Sequence, residues 1–247
     1  MNKLSVTIIT KNEEKNIKRC LKSVKWADEI IVVDSGSKDN TVKVCHDFGC
    51  RVIETDWRGF GKTKKYAVEQ AKYDWIFSID ADEVVTDNLK NKIISILEDP
   101  AKKGYKIKRS SFYLGKKIKH CGWNRDYPLR LFNRQYGNFN EKIVHESVEI
   151  NGDVGRIESE LLHYTYPTIE SHIERLARYS VLSAKQKYKK GKKVTITGAM
   201  TRGVIKFVKM YFFQLGFLDG KYGFLLSLNS SYGVFIKYLK LWEMNQK

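Results

Sequence analysis

The chain has 247 residues, enough to bury one core with an appended smaller element. Its apolar content of 42% and aromatic content of 13% are those of a folded globular protein and exclude intrinsic disorder. The net charge is +17, and all of it lies beyond residue 99, because residues 1–99 hold 17 basic and 17 acidic residues. A basic second half suits nucleic acid, anionic lipid or an acidic substrate.

Strand-like and helix-like segments alternate four times in the first 99 residues. The predicted strands are apolar, mostly β-branched runs at 4–10, 29–34, 51–55 and 75–80. The helices between and after them are predicted to start at Asn12, at Asp39 or Asn40, after the turn Gly59-Phe60-Gly61, and at Thr86 or Asp87. This alternation predicts an α/β fold with a mostly parallel sheet and helices on both faces.

Beyond Pro100 the alternation stops. Further strands are predicted at 105–118 (a hairpin), 129–132, 143–150 and 157–164, followed by a helix at 169–190. The four cysteines show no C-x-x-C spacing, so neither a zinc site nor a disulfide framework is predicted. No signal peptide is expected, and no run reaches the roughly 18 apolar residues that a membrane span needs. These features predict a reduced, cytoplasmic setting.

Two carboxylates end the fourth predicted strand, in the run Asp80-Ala81-Asp82. Ligands of parallel α/β sheets bind beyond the carboxyl ends of the strands. Two carboxylates at this position can reach one Mg²⁺ or Mn²⁺ ion, which also binds phosphate oxygens. A D-x-D pair is common, and a solvated turn before a helix is the other interpretation. Its place in the sheet favours a site for metal and phosphate.

Asp34 closes the second predicted strand and precedes Ser35-Gly36-Ser37. A carboxylate at a strand end can accept hydrogen bonds from a base or a ribose, and Gly36 allows a close backbone turn. Asp39 can serve as a helix cap alone. Asp34 stands too early for a cap, so we interpret it as a ligand-binding residue.

Three ordered segments resemble the family 2 glycosyltransferases, which have the GT-A fold: TIITKNEEKNIKRCLKSV, EIIVVDSGSKDNT and GFGKTKKYAVEQAKYDWIFSIDADE. They are most similar to the branch that builds the lipopolysaccharide core. The resemblance covers about residues 3–165. It implies an inverting, metal-dependent hexosyltransferase with a UDP-sugar donor, expected to be UDP-glucose, and a lipid-linked glycan acceptor.

The resemblance also implies roles for matching residues. In the nucleotide pocket, the implied residues are Thr10, Asn12 and Glu13 around the nucleotide, Asp34 at the uracil or ribose, and Lys64 at the base or diphosphate. At the metal site, they are Asp80 and Ala81 at the ribose or metal, and Asp82 as metal ligand. His163 is expected as a further metal ligand, with a structural histidine as the equal alternative. Arg130 is expected at the donor phosphate. Trp123 is assigned either to the acceptor sugar or to aromatic packing.

An inverting displacement needs a base that takes the proton of the acceptor hydroxyl. The segment NEKIVHESVEI offers Glu141, His145 and Glu146. Relatives carry a similar His-Glu pair, so the resemblance favours Glu146 as base, with His145 either orienting it or contacting the phosphates. The alternative is a plain strand in which Val144, Glu146 and Val148 alternate, with the glutamate in solvent.

The C-terminal third is basic and amphipathic. From Arg175 onward 15 basic residues stand against two acidic ones, and Arg202, Lys206 and Lys209 share one helical stripe. Such helices can lie in an anionic membrane interface, or pack on the catalytic domain or a second subunit. We divide the chain into a catalytic domain at 1–167, with a nucleotide-sugar part (1–99) and an acceptor-side part (100–167), and a helical extension at 168–247. A peripheral enzyme on the cytoplasmic face of the inner membrane is expected.

Other acceptors and other protein classes are the alternatives to this function. The same chemistry could act on a capsule, teichoic-acid or protein-linked glycan. A nucleotidyltransferase would carry a Gly-rich basic loop after the first strand, where this chain has Thr10-Lys11-Asn12-Glu13. Charge alone suggests nucleic-acid binding, but no RNA or DNA motif is present, so no nucleic-acid partner is expected. The intact acidic set argues against a non-catalytic relative.

Overall fold

A computed structural model describes residues 2–141 and 146–246. The helices are α1 (Glu14–Val24), α2 (Thr41–Asp47), α3 (Phe60–Glu69), α4 (Asp87–Glu98), α5 (Ile169–Lys189), α6 (Ile196–Val208) and α7 (Gly220–Asn245). The strands are β1 (Leu4–Thr10), β2 (Glu29–Asp34), β3 (Arg51–Glu54), β4 (Trp75–Asp80), β5 (Glu83–Val85), β6 (Gly104–Tyr113), β7 (Lys116–Lys117), β8 (Leu129–Asn133), β9 (Gly137–Phe139), β10 (Val148–Ile150) and β11 (Val154–Tyr166). Short 3₁₀ turns cover Trp123–Arg125 and Gly216–Asp219, and a π-helical turn covers Lys209–Phe213.

The chain forms two units, residues 1–109 with 127–163 and residues 110–126 with 164–247. The predicted division at 167 placed segment 110–126 in the catalytic domain, and the structure places it in the second unit. The reason is a shared core, because Tyr113 and Cys121 pack in one buried cluster with Met210 and Leu226 of the C-terminal helices.

The sheet follows the order β3-β2-β1-β4-β8-β6-β11-β5. Strands β3, β2, β1 and β4 are parallel, as their alternation with helices predicts. Strand β8 pairs antiparallel with β4 and β6, and β5 pairs antiparallel with β11. The sheet is therefore mixed, since the segments after residue 100 lack the helical crossovers that parallel pairing requires.

Helices cover both faces of the sheet, as predicted. On one face α1 buries Ile17 and Leu21, and α4 buries Leu89 and Ile93, in one cluster with Val6 of β1. On the other face α3 packs its own apolar residues against β2 and β4 in a second cluster. Each fully buried aliphatic side chain contributes about 1.5–3 kcal/mol, so these two layers dominate the stability of the unit.

The start of the first helix differs from its prediction. Asn12 does not cap α1, because Glu13 occupies the cap position and Asn12 takes a left-handed φ of 55°. Its side-chain oxygen instead accepts a hydrogen bond from the backbone N–H of Lys38 at 2.7 Å. The predicted cap of α4 is confirmed, since the Thr86 hydroxyl accepts from the N–H of Leu89.

The second unit is mainly helical. Helix α5 begins with a capping box between Thr168 and Ser171. Helices α6 and α7 approach closely, and the Ser231 hydroxyl donates to the Gly203 carbonyl at 2.7 Å. Trp123 packs against other rings of this unit, which is the packing alternative for that residue. Within the described residues, no helix combines the length and apolar character needed to cross a membrane.

Candidate active site

Three strand ends meet at one edge of the sheet. In register, Thr10 lies beside Asp34, and Ile9 beside Asp80, so the carboxyl ends of β1, β2 and β4 are adjacent. The hydroxyls of Thr10 and Ser35 at this edge are buried, and each lacks a hydrogen-bond partner among the described residues. An unsatisfied buried hydroxyl is costly, so a water or ligand atom that reached either one would stabilise it. Thr7, inside β1, shows the same pattern, so a nucleotide contact of Thr10 stays a prediction.

Asp34 folds the loop that follows it. Its Oδ2 accepts from the backbone N–H groups of Gly36 and Ser37 at 2.9 and 2.7 Å, and its Oδ1 accepts from the Ser37 hydroxyl at 2.5 Å. The residue is fully buried, and Gly36 has a φ of 80° that favours glycine. The structure thus shows a turn-forming role for Asp34, while its contact with uracil or ribose stays a prediction.

Asn12 and Glu13 tie the loops after β1 and β2 together. The Asn12 N–H donates to the Ser37 hydroxyl at 2.8 Å, and the Glu13 N–H donates to the Thr41 hydroxyl at 2.8 Å. Together with the bond from Lys38 to Asn12, these contacts hold both loops in one arrangement. Both residues therefore lie at the predicted edge. Their backbone N–H groups and the Asn12 side chain stabilise the two loops.

The D-x-D turn is anchored by Glu83, a residue that the sequence analysis did not assign to the site. Glu83 is fully buried, and its Oε2 accepts from the backbone N–H of Asp80 at 2.9 Å. Its Oε1 accepts from Arg130 at 2.7 Å and from Arg109 at 3.1 Å. The third carboxylate of the run Asp80-Ala81-Asp82-Glu83 was its only sequence signal. Buried Ala81 completes the turn.

Asp80 stands among three cations. Lys64 Nζ lies 2.8 Å from its Oδ1, and Arg130 and Arg109 lie 2.5 and 4.0 Å from its Oδ2. Burial raises the pKa of Asp80, but the charges of Arg130, Lys64 and Arg109 outweigh it and hold the pKa well below its usual range. Asp80 is therefore ionised at neutral pH.

Arg130 is predicted at the donor phosphate, and the structure places it beneath the acidic turn. Burial lowers its pKa, but the carboxylates of Asp80 and Glu83 outweigh burial and raise it. Its Nε is buried with no hydrogen-bond partner in the described part of the chain. Arg130 thus holds the turn in place, and a contact with phosphate stays a prediction.

Lys64 joins the D-x-D turn to the predicted base. It is buried in α3, and its Nζ lies 2.9 Å from Glu146 Oε1 as well as beside Asp80. The other candidate carboxylate, Glu141, is exposed and pairs with Lys62 and Lys65 at the surface. Of the two candidate bases that the structure describes, Glu146 is therefore the one next to Lys64 and the D-x-D turn. His145 lies outside the described residues.

Asp82 and His163 come together, as expected of two ligands of one ion. His163 Nε2 lies 3.4 Å from Asp82 Oδ2, and both side chains are almost buried. Two ligands about 2.1 Å from one metal at angles of roughly 90–110° lie about 3.0–3.5 Å apart, so the pair fits a divalent ion. No group of three His, Cys, Asp or Glu residues with metal-site geometry occurs in the described residues. Such ions commonly take their other ligands from phosphate oxygens and water.

Comparison with known proteins identifies the family to which the chain belongs. Residues 5–148 match the model of the family described as Glycosyl transferase family 2. The chain belongs to this family. As a family 2 glycosyltransferase it has a GT-A-type sheet, and the candidate site described above lies at the carboxyl ends of β1, β2 and β4.

Relatives support this placement over the whole chain. An uncharacterized glycosyltransferase of Rickettsia typhi is 33% identical over 260 residues, covering 100% of this chain and 89% of the relative. The lipopolysaccharide core biosynthesis glycosyltransferase LpsC of Rhizobium meliloti is 28% identical, covering 97% of this chain and 92% of the relative. The crystal structure of S. aureus TarS matches with a TM-score of 0.50 and 17% identity, covering 73% of this chain and 39% of TarS, which shows a shared fold.

Proposed function

We propose that this glycosyltransferase transfers a hexose, with inversion, from a UDP-sugar to a lipid-linked acceptor of the lipopolysaccharide core, assisted by Mg²⁺ or Mn²⁺. The observation that carries the proposal is the convergence of Asp80, Asp82, Lys64, Glu146 and His163 at one edge of the sheet. This set would supply two metal ligands, a buried cation and a carboxylate base, which are the groups that such a displacement uses.

The donor fits the chemistry of this edge. The buried hydroxyls of Thr10 and Ser35 bond polar atoms of the nucleoside, since each lacks a partner in the described structure. Asp82 and His163 would hold the metal, which would supply positive charge against the departing diphosphate. Around this point four carboxylates, those of Asp80, Asp82, Glu83 and Glu146, face only three cations, Lys64, Arg109 and Arg130. The charge of a divalent ion would therefore favour the binding of a diphosphate here.

Glu146 acts as the base. Its carboxylate is mostly buried and is oriented by Lys64 at 2.9 Å. In the displacement it accepts the proton of the acceptor hydroxyl while that oxygen attacks the anomeric carbon, on the side opposite the diphosphate. Lys64 also contacts Asp80, so it couples the position of the base to the turn that meets the donor.

The acceptor class is supported by the printed function of the Rhizobium meliloti relative, which is lipopolysaccharide core biosynthesis, over nearly the whole chain. A capsule or teichoic-acid acceptor keeps the same chemistry and remains the alternative. Incubation of the enzyme and UDP-glucose with purified core oligosaccharides and, in parallel, with capsule and teichoic-acid acceptors, followed by mass spectrometry, compares these acceptor classes directly.

The donor half of the proposal is tested by calorimetry. We expect UDP-sugar binding to strengthen with Mn²⁺, and Asp82→Asn to weaken the metal-dependent part at least tenfold, as loss of a ligand typically does. The matched control is Asp87→Asn, an exposed aspartate in the first turn of α4, which we expect to change binding less than twofold. Binding of UDP-sugar that ignores both metal and Asp82 would contradict metal assistance, and no binding of any nucleotide-sugar would contradict the donor assignment.

A further inference from the structure

Exposed apolar side chains are concentrated in one segment of the second unit. Of 18 large apolar side chains that are exposed in the described residues, 12 lie in segment 196–232. This segment is about one seventh of the chain, so chance exposure would place two or three there. Phe213 is 81% exposed and Leu218 57%. An exposed apolar patch of this density marks an interaction surface.

The exposed side chains line two neighbouring helices and the turn between them. On α6, Met200 and Val204 are four residues apart, and on α7, Phe224 and Leu228 are also four apart, so each pair shares a helical stripe. The two stripes meet through aromatic contacts, including Phe207 against Phe224 with ring centroids 5.9 Å apart. We refer to the exposed apolar residues of segment 196–232 as the apolar face.

The charges around the apolar face have one sign. Segment 196–232 contains Arg202, Lys206, Lys209 and Lys221, and its only carboxylate is Asp219. Asp219 accepts hydrogen bonds from the backbone N–H groups of residues 119 and 120, so its charge is used within the unit. Of these cations, exposed Lys209 lies four residues from Phe213, and exposed Lys221 lies three residues from Phe224. These two cations therefore lie close to exposed apolar residues, and no other carboxylate of the segment offsets them.

We propose that the apolar face is a docking surface for an anionic lipid bilayer. Aromatic and aliphatic groups enter the boundary between headgroups and acyl chains, while lysines and arginines meet anionic headgroups. A second copy is the less suitable occupant, because a two-fold contact would bring the same cations against each other. The proposal goes beyond the proposed function, and its test needs no catalytic activity.

The test is co-sedimentation of the full chain with vesicles of phosphatidylcholine alone or mixed with phosphatidylglycerol. We expect binding to the anionic vesicles that weakens with salt. Phe213→Ser with Leu218→Ser should weaken it at least tenfold. Lys209→Gln with Lys221→Gln should weaken it about 25-fold, since each cation near an anionic surface contributes about a fivefold factor. The matched control is Ile173→Ser, which removes an exposed apolar side chain of α5 outside the segment.

Each outcome of these experiments either supports or overturns the proposal. Binding to anionic vesicles that the paired variants lose and the control keeps supports the proposal. A chain that ignores vesicles but dimerises in light scattering, with Phe213→Ser and Leu218→Ser giving monomers, assigns the face to a second copy and overturns the proposal. A monomer that binds no vesicle also overturns it. Circular dichroism of every variant checks that these exposed substitutions leave the helices folded.

Discussion

Replacing Glu83 by glutamine tests whether charge or shape holds the acidic turn. Glutamine keeps the volume and one carbonyl oxygen, so the N–H of Asp80 retains an acceptor. The contacts to Arg130 at 2.7 Å and Arg109 at 3.1 Å lose their counter-charge, and an amide N–H₂ meets a guanidinium. Removing one partner of a buried charge pair costs about 3–5 kcal/mol, and Asp80 still balances Arg130 in part, so we expect a loss of about 3 kcal/mol.

Urea unfolding followed by tryptophan fluorescence measures this loss. For a chain of this length, a loss of 1 kcal/mol in the free energy of unfolding lowers the melting temperature by roughly 2–4 °C. The melting temperature of Glu83→Gln, measured on heating, should therefore fall by about 10 °C. Glu54→Gln, which neutralises an exposed glutamate of β3, is the control and should stay within about 0.5 kcal/mol of wild type. If Glu83→Gln lost less than about 1 kcal/mol, the argument that buried charge holds the D-x-D turn would be refuted.

Two further predictions concern other buried groups. Lys64→Met should lower the rate of sugar transfer at least tenfold, because Glu146 loses its orienting cation. The control, Lys65→Met, changes a partly exposed neighbour that pairs with Glu141 and should change the rate less than twofold. Equal effects of the two substitutions would contradict the role assigned to Lys64. In the second unit, burial first and then Arg175 lower the pKa of His172 to about 4. The unfolded chain therefore binds a proton that the folded one excludes, and stability should fall by roughly 3 kcal/mol as pH drops from 6.5 to about 4. In His172→Gln, the free energy of unfolding measured across this pH range should no longer show this decrease.

The parallel part of the fold was predictable from sequence, because strands covered on both faces need continuous apolar runs. The bounds of β1, β2 and β4 agree with those runs at every residue. Strands β5 and β9 were not predicted, since three residues carry no periodicity and their pairing depends on distant partners. The membership of segment 110–126 in the second unit was equally hidden, because it depends on packing with helices about a hundred residues later.

The site was predicted in outline. Strand ends pointed to Asp80 and Asp82, and the family resemblance added Glu146; the structure brings Asp80 and Glu146 together at Lys64, while their roles stay predictions. It did not reveal that Glu83 anchors the turn, since its partner Arg130 is 47 residues away and only the folded sheet brings the two together. The hydrogen bonds of Asp34 were also hidden, because a carboxylate facing its own loop and one facing a ligand have the same sequence.

The hydrogen bonds from Asn12 and Glu13 to the loop after β2 have a consequence for the strength of donor binding. Flexible loops lose conformational entropy when they close on a ligand, and this loss weakens affinity. Here both loops are linked by hydrogen bonds of the chain itself, through Ser37, Lys38 and Thr41. Their ordering belongs to folding, so the proposed donor would meet a preorganised edge. Ser37→Ala, which removes the acceptor of the Asn12 N–H, would then weaken binding without replacing a residue predicted to touch the donor.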